Sequence, residues 1–146
     1  MAQPIVLVIF SCQSGETEKL ALSAAVGAVQ ARALIRLRRL PDAGAAESNE
    51  DLIRMQKEYV PPTEADILGA DALILASSSS VPWHDFLALL RRLRDEGKLR
   101  GKVGAAIGGL APMMTDLGFM TIQETPADPV ALGRAAANKA RKTGEF

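Results

Sequence analysis

Three stretches of this chain are apolar at nearly every position: PIVLVIF at residues 4–10, DALILA at 71–76 and KVGAAI at 102–107. A continuous apolar run, unlike an alternating one, marks a strand buried on both faces, as in a parallel sheet covered by helices on two sides. Parallel neighbours are joined only by crossovers of about a dozen residues, nearly always right-handed. The segments between the runs must therefore supply helices.

They have the composition to do so. From Glu16 an alanine-rich segment places Leu20, Ala24, Ala28 and Ala31 at helical spacing, predicting a first helix packed close to the sheet through small side chains. Residues 33–37 read as a second strand, followed by a polar loop from Pro41. A short helix is expected over 50–57, stopped by Pro61 and Pro62. Thr63 reads as the N-cap of a helical turn over 64–69.

Residues 83–94 carry Phe86, Leu87, Leu90 and Leu93 on one face, so an amphipathic helix ending near Gly97 is expected. A turn of helix over 113–117 leads to a last strand at 119–122, and Asp128 with Pro129 opens a terminal helix reaching Gly144. Met113, Met114 and Met120 read as flexible packing rather than a substrate-facing lid. A length of 146 residues suits one domain over 1–146, large enough to bury about two-thirds of the surface of its unfolded chain.

Seventeen basic residues balance seventeen acidic ones, so nothing advertises nucleic acid. Arg36, Arg38 and Arg39 alternate with Ile35, Leu37 and Leu40, which fits a solvated strand face and its exit better than a phosphate-binding patch. One cysteine and one histidine exclude an internal disulfide and a zinc-ligand cluster, so no metal is expected and the reducing cytoplasm is the natural setting. The apolar run at 5–10 is too short to span a bilayer and lacks the flanks of a signal peptide, so no membrane insertion is expected.

In doubly wound sheets ligands sit beyond the carboxyl ends of the strands, where the strand order reverses. The candidate loops are 11–17, 77–83 and 108–112. The first offers free backbone amides at a helix N-terminus, a glycine at Gly15 and hydroxyls at Ser11, Ser14 and Thr17, all suited to a phosphate. Glu16 must point outward if one binds. In the second, Ser77, Ser78, Ser79 and Ser80 can cradle a polar ligand or form the polar exit of a strand. Trp83 and His84 can face a ligand or pack at a helix start, and packing is the commoner role there.

The segment VLVIFSCQSGETEKLA resembles the phosphate loop of the flavodoxin-like family, whose Ser/Thr-x-Ser/Thr-Gly-x-Thr pattern is here Cys12-Gln13-Ser14-Gly15-Glu16-Thr17, with a cysteine at the leading hydroxyl position. Together with RLRRLPDA, ADALILASS, FLALLRRLRDEGKLRGKVGAAIG and the alanine-rich last helix, the chain resembles the WrbA-type NAD(P)H:quinone oxidoreductases of that family over most of its length. The resemblance implies an α/β three-layer sandwich, with a five-stranded parallel sheet of order 2-1-3-4-5 and helices on both faces. It also implies an FMN-binding oxidoreductase passing electrons from NAD(P)H to a quinone-like small-molecule acceptor, assembled as a homo-dimer or tetramer.

The cofactor residues implied are Ser11, Cys12, Gln13, Ser14, Gly15, Glu16 and Thr17 at the phosphate, with Ser77 to Ser80, Trp83, Gly108 and Gly109 in the other two loops. Those two loops are shorter than the family's, and the second lacks its Gly-Asn element. The alternative is a degenerate domain of the same fold without flavin, acting as a binding or assembly module or taking another phosphate-containing ligand.

Two other site types fail on chemistry. A nucleophilic Cys12 of the tyrosine-phosphatase kind needs a cation six residues on, where Glu18 stands, so Cys12 reads as a small strand-end residue. A receiver domain needs carboxylates at the end of the first strand, where Phe10, Ser11 and Cys12 provide none.

Overall fold

The computed structural model describes residues 3–11, 15–40, 54, 57–77, 83–107, 111–122 and 128–144. Its elements run β1 (Ile5–Ser11), α1 (Gly15–Gln30), β2 (Leu34–Arg39), α2 (Glu64–Gly69), β3 (Ala72–Ser77), α3 (His84–Asp95), β4 (Val103–Ile107), α4 (Ala111–Asp116), β5 (Met120–Thr121) and α5 (Pro129–Gly144). The five strands form one parallel sheet in the order β2-β1-β3-β4-β5, as expected. Of the short helix expected at 50–57, residues 54 and 57 are helical and the rest lies outside the described residues.

The strand period of two sends alternate residues of β1 to opposite layers. Val6, Val8 and Phe10 pack with Ala21, Ala24 and Ala28 of α1 and with Leu132, Ala136 and Ala137 of α5. Leu7 and Ile9 face the other way, against Ile67 of α2, Leu90 and Leu93 of α3 and Met114 of α4. Each such Leu or Ile taken out of water stabilises the fold by about 1.5–3 kcal/mol. That is why the central runs carry no polar residue.

The α1/α5 layer is built on closeness rather than bulk. A Cβ placed on Gly27 would lie 1.8 Å from the Val130 carbonyl oxygen, and one on Gly133 would lie 1.8 Å from that of Ala24. The two helices therefore touch backbone to backbone. The expected packing of α1 through small side chains is present, with Ala24, Ala28 and Ala31 buried. Ala21 and Ala25 are buried as well, whereas the expected core residue Leu20 is exposed.

The capping expected at Thr63 is present in full: Asp66 N–H donates to Thr63 Oγ1 at 3.2 Å and Thr63 N–H to Asp66 Oδ2 at 3.0 Å. Arg38 then clasps the same carboxylate, Nε donating to Oδ2 at 3.0 Å and Nη2 to Oδ1 at 3.3 Å. This pins β2 to α2. In α3 the predicted apolar face, Phe86, Leu87, Leu90 and Leu93, is buried.

β2 runs two residues beyond its expected end, and the solvated reading of its arginines holds only in part. Arg36 is exposed, but Arg38 is paired and Arg39 is 5% exposed. The cause is parity and cover. Arg39 lies beside Phe10 on the α1 side of the sheet, and its N–H donates to the Val60 carbonyl at 3.1 Å, which brings residues 59–60 alongside the strand. Among the described residues no helix is long and apolar enough to cross a membrane.

Candidate functional site

The order of the sheet reverses at β1, which has β2 on one side and β3 on the other. At its carboxyl end Ser11 stands in register with Ser77, the last residue of β3. Two of the three loops expected to hold a ligand leave the sheet from this one point.

The free amides at the start of α1 lie at Gly15, Glu16 and Thr17, where a helix presents unpaired N–H groups and the positive end of its dipole. Thr17 is 5% exposed and Ser11 is 2% exposed. The expected site residues Cys12, Gln13, Ser14, Ser78, Ser79, Ser80, Gly108 and Gly109 lie outside the described residues.

Trp83 settles in the core rather than beside an open cleft. It is fully buried, with its ring edge-on to Phe86 at 5.8 Å between centroids and 71° between planes. Its polar tip is a different matter. Indole Nε1 and Ser11 Oγ are both buried and have no hydrogen-bond partner among the described residues. By strand parity Ser11 points to the side of Leu7 and Ile9, the layer that also contains Trp83. Two enclosed polar groups thus sit in one layer at the carboxyl edge with no partner among the described residues. His84, the other candidate at this helix start, is exposed.

Sequence reasoning missed the cluster on the opposite side of the sheet. Glu18, read as a carboxylate that would repel phosphate, is 6% exposed and turned into a clamp. Arg54 Nη2 donates to Oε1 at 2.6 Å, Arg54 Nη1 to Oε2 at 3.0 Å and the Tyr59 hydroxyl to Oε2 at 2.6 Å. Arg54 also donates to Glu58 Oε2 at 2.7 Å. The Arg54 hydrogen bonds hold the Glu18 carboxyl below the usual range despite its burial, while burial first, and then the bond to Glu18, raise the Tyr59 phenol. The carboxylate is therefore neutralised in place and not available to oppose an anion. No sequence signal links these residues, because the clamp spans 36 and 41 positions.

Among the described residues no three His, Cys, Asp or Glu side chains gather as metal ligands. No protein-family model matches the sequence, and no curated protein matches it. Solved structures do. A short-chain flavodoxin associated with a non-canonical PDU bacterial microcompartment superimposes with a TM-score of 0.63 at 14% identity, covering 97% of this chain and 99% of that one. The flavodoxin of Streptococcus pneumonia TIGR4 gives 0.61 at 14% identity, covering 94% and 98%. Megasphaera elsdenii flavodoxin gives 0.61 at 16% identity, covering 91% and 98%. At such identities the likeness is one of architecture: the chain has the flavodoxin-like fold.

Proposed function

We propose that this protein binds FMN at the carboxyl ends of β1 and β3 and works as a flavin-dependent oxidoreductase. The observation that carries the reading is the pair of buried, unpartnered groups there, Ser11 Oγ and Trp83 Nε1. An enclosed polar atom without a partner costs about 1–3 kcal/mol, so a site that keeps two of them is built for a group that completes their hydrogen bonds. The indole N–H only donates and thus requires an acceptor, and a hydroxyl can donate or accept. Oxygens of a phosphate or ribityl chain satisfy both.

In this reading the α1 amides at Gly15, Glu16 and Thr17 take the phosphate, with the Thr17 hydroxyl beside them. Ser11 and Trp83 fix the orientation of the ligand, and the apolar wall of α3 around Phe86 excludes water. When bound, FMN supplies the hydride and electron transfer, and the protein supplies position and electrostatics. The resemblance to WrbA-type enzymes favours NAD(P)H as donor and a quinone-like acceptor. It favours a dimer or tetramer as well.

The test is a titration of the purified protein with FMN, followed by flavin fluorescence. Saturable quenching is expected. Its absence at high micromolar protein would overturn the reading in favour of a flavin-free domain, and NAD(P)H-dependent quinone reduction by the loaded protein tests the acceptor.

A further inference from the structure

Among the described residues Arg39 is a buried cation without a counter-charge. It is 5% exposed, its Nε is enclosed with no hydrogen-bond partner, and no ion pair to it occurs among the described residues. Burying an unpaired charge is among the most costly arrangements a fold can contain, and water alone does not neutralise it. The carboxylates gathered in this corner are already engaged. Both oxygens of Glu18 accept from Arg54, one of them also from Tyr59, and Glu58 accepts from the same guanidinium. Asp66, which pairs with the neighbouring Arg38, belongs to α2 on the other side of the sheet.

We infer that the Arg39 guanidinium is the binding group of a small-oxyanion site, of the phosphate or sulfate class, at the carboxyl end of β2. A planar guanidinium offers paired N–H donors matched to such oxygens, and the anion supplies a charge that the described residues do not. With 5% exposure the residue suits a compact ion rather than a ring-bearing ligand. The site is separate from the Ser11 and Trp83 part of the proposed flavin position, while the amides proposed for the flavin phosphate belong to α1, so FMN at saturation keeps the probe off them. Arg39 shares the α1 side of the sheet with Phe10, whereas Ser11 and Trp83 belong to the opposite layer.

The experiment is thermal melting at constant ionic strength with inorganic phosphate as probe, on the wild-type chain and on Arg39→Met, with and without saturating FMN. Wild type is expected to gain about 3–5 °C for each tenfold excess of phosphate over its dissociation constant. Arg39→Met is expected to melt higher than wild type in anion-free buffer, because a buried charge is removed, and to lose the phosphate response seen with FMN occupying the α1 amides. In wild type a phosphate response should persist at saturating FMN. At saturating FMN, an equal response in Arg39→Met or no response in wild type would each overturn the inference. So would stabilisation by AMP that phosphate does not reproduce. If Arg39→Met does not fold, calorimetric titration of the wild-type protein with phosphate decides: no saturable binding in the presence of FMN overturns the site. Failure to bind FMN at all would overturn the proposed cofactor and leave this comparison intact.

Discussion

Arg54 grips the buried carboxylate of Glu18 from 36 residues away, with Nη2 at 2.6 Å from Oε1 and Nη1 at 3.0 Å from Oε2. The contact fastens the segment after β2 onto the first turn of α1, next to the amides proposed to hold a phosphate. It also makes stability depend on that carboxylate staying ionised.

Glu18 should therefore shape the acid limb of the stability curve. Its folded pKa lies below the free value of 4.5, held there chiefly by Arg54. As the pH falls, the unfolded chain takes up the proton first, so the stabilisation is complete above 4.5 and is lost as the pH drops through the lower folded value. Asp66 adds in the same sense below 3.8; burial alone would raise it, but Arg38 and Thr63 together outweigh that. Melts of wild type and Glu18→Gln from about pH 7 to about pH 3 should show a gap that closes below the ordinary carboxylate range. A gap of constant size would show that the clamp is not ionic.

Tyr59→Phe isolates the third arm of the clamp. The ring stays, with its edge-on contact to Phe10 at 4.9 Å between centroids, and only the hydroxyl that donates to Glu18 Oε2 is lost. A hydrogen bond to a charged group contributes about 1.5–3 kcal/mol. For a chain of this size the melting temperature should fall by about 2–4 °C per kcal/mol. An unchanged melting temperature would mean that water replaces the phenol without loss.

Gly133→Ala should be among the most damaging single-methyl changes in the molecule. The added carbon would sit 1.8 Å from the Ala24 carbonyl oxygen, so α1 and α5 must separate before it fits. Overpacking of this kind costs about 1–3 kcal/mol and more where backbone has to move. Urea unfolding should show the midpoint falling accordingly. A midpoint within error of wild type would mean that the helices slide apart freely.

The parts of the fold that follow from local chemistry were readable from the residues. Uninterrupted apolar runs identify β1, β3 and β4, Thr63 with Asp66 caps α2, and the spacing of Phe86, Leu87, Leu90 and Leu93 orients α3. What escaped depended on distant partners. In α1 the alanine line was legible, but Leu20, read as part of it, lies outside, because close approach to α5 selects for small size over hydrophobicity. Arg39 reads as one more surface arginine until strand parity and the cover from Val60 enclose it. Glu18 reads as a misplaced charge until Arg54 and Tyr59 arrive from across the chain. At the ligand-facing edge, Ser11 and Trp83 were legible as candidates by position, but their unpartnered state is a property of the packed layer alone.

That unpartnered state leads to opposite effects on folding and binding when Ser11 is changed to Ala. The hydroxyl is buried without a bond to any described residue, so removing it relieves a penalty of about 1 kcal/mol and should raise the melting temperature by about 2–4 °C. In the FMN complex the same hydroxyl is proposed to complete a hydrogen bond. Its loss should then weaken FMN binding by about three- to tenfold, the equivalent of one ordinary hydrogen bond. Stability rising while affinity falls is the signature of a polar group kept for a ligand at the expense of the fold. Melting curves of the free protein and a flavin titration on the same preparations check both halves. If Ser11→Ala melts lower and binds FMN as wild type does, the hydroxyl serves the fold and the proposed ligand contact is wrong.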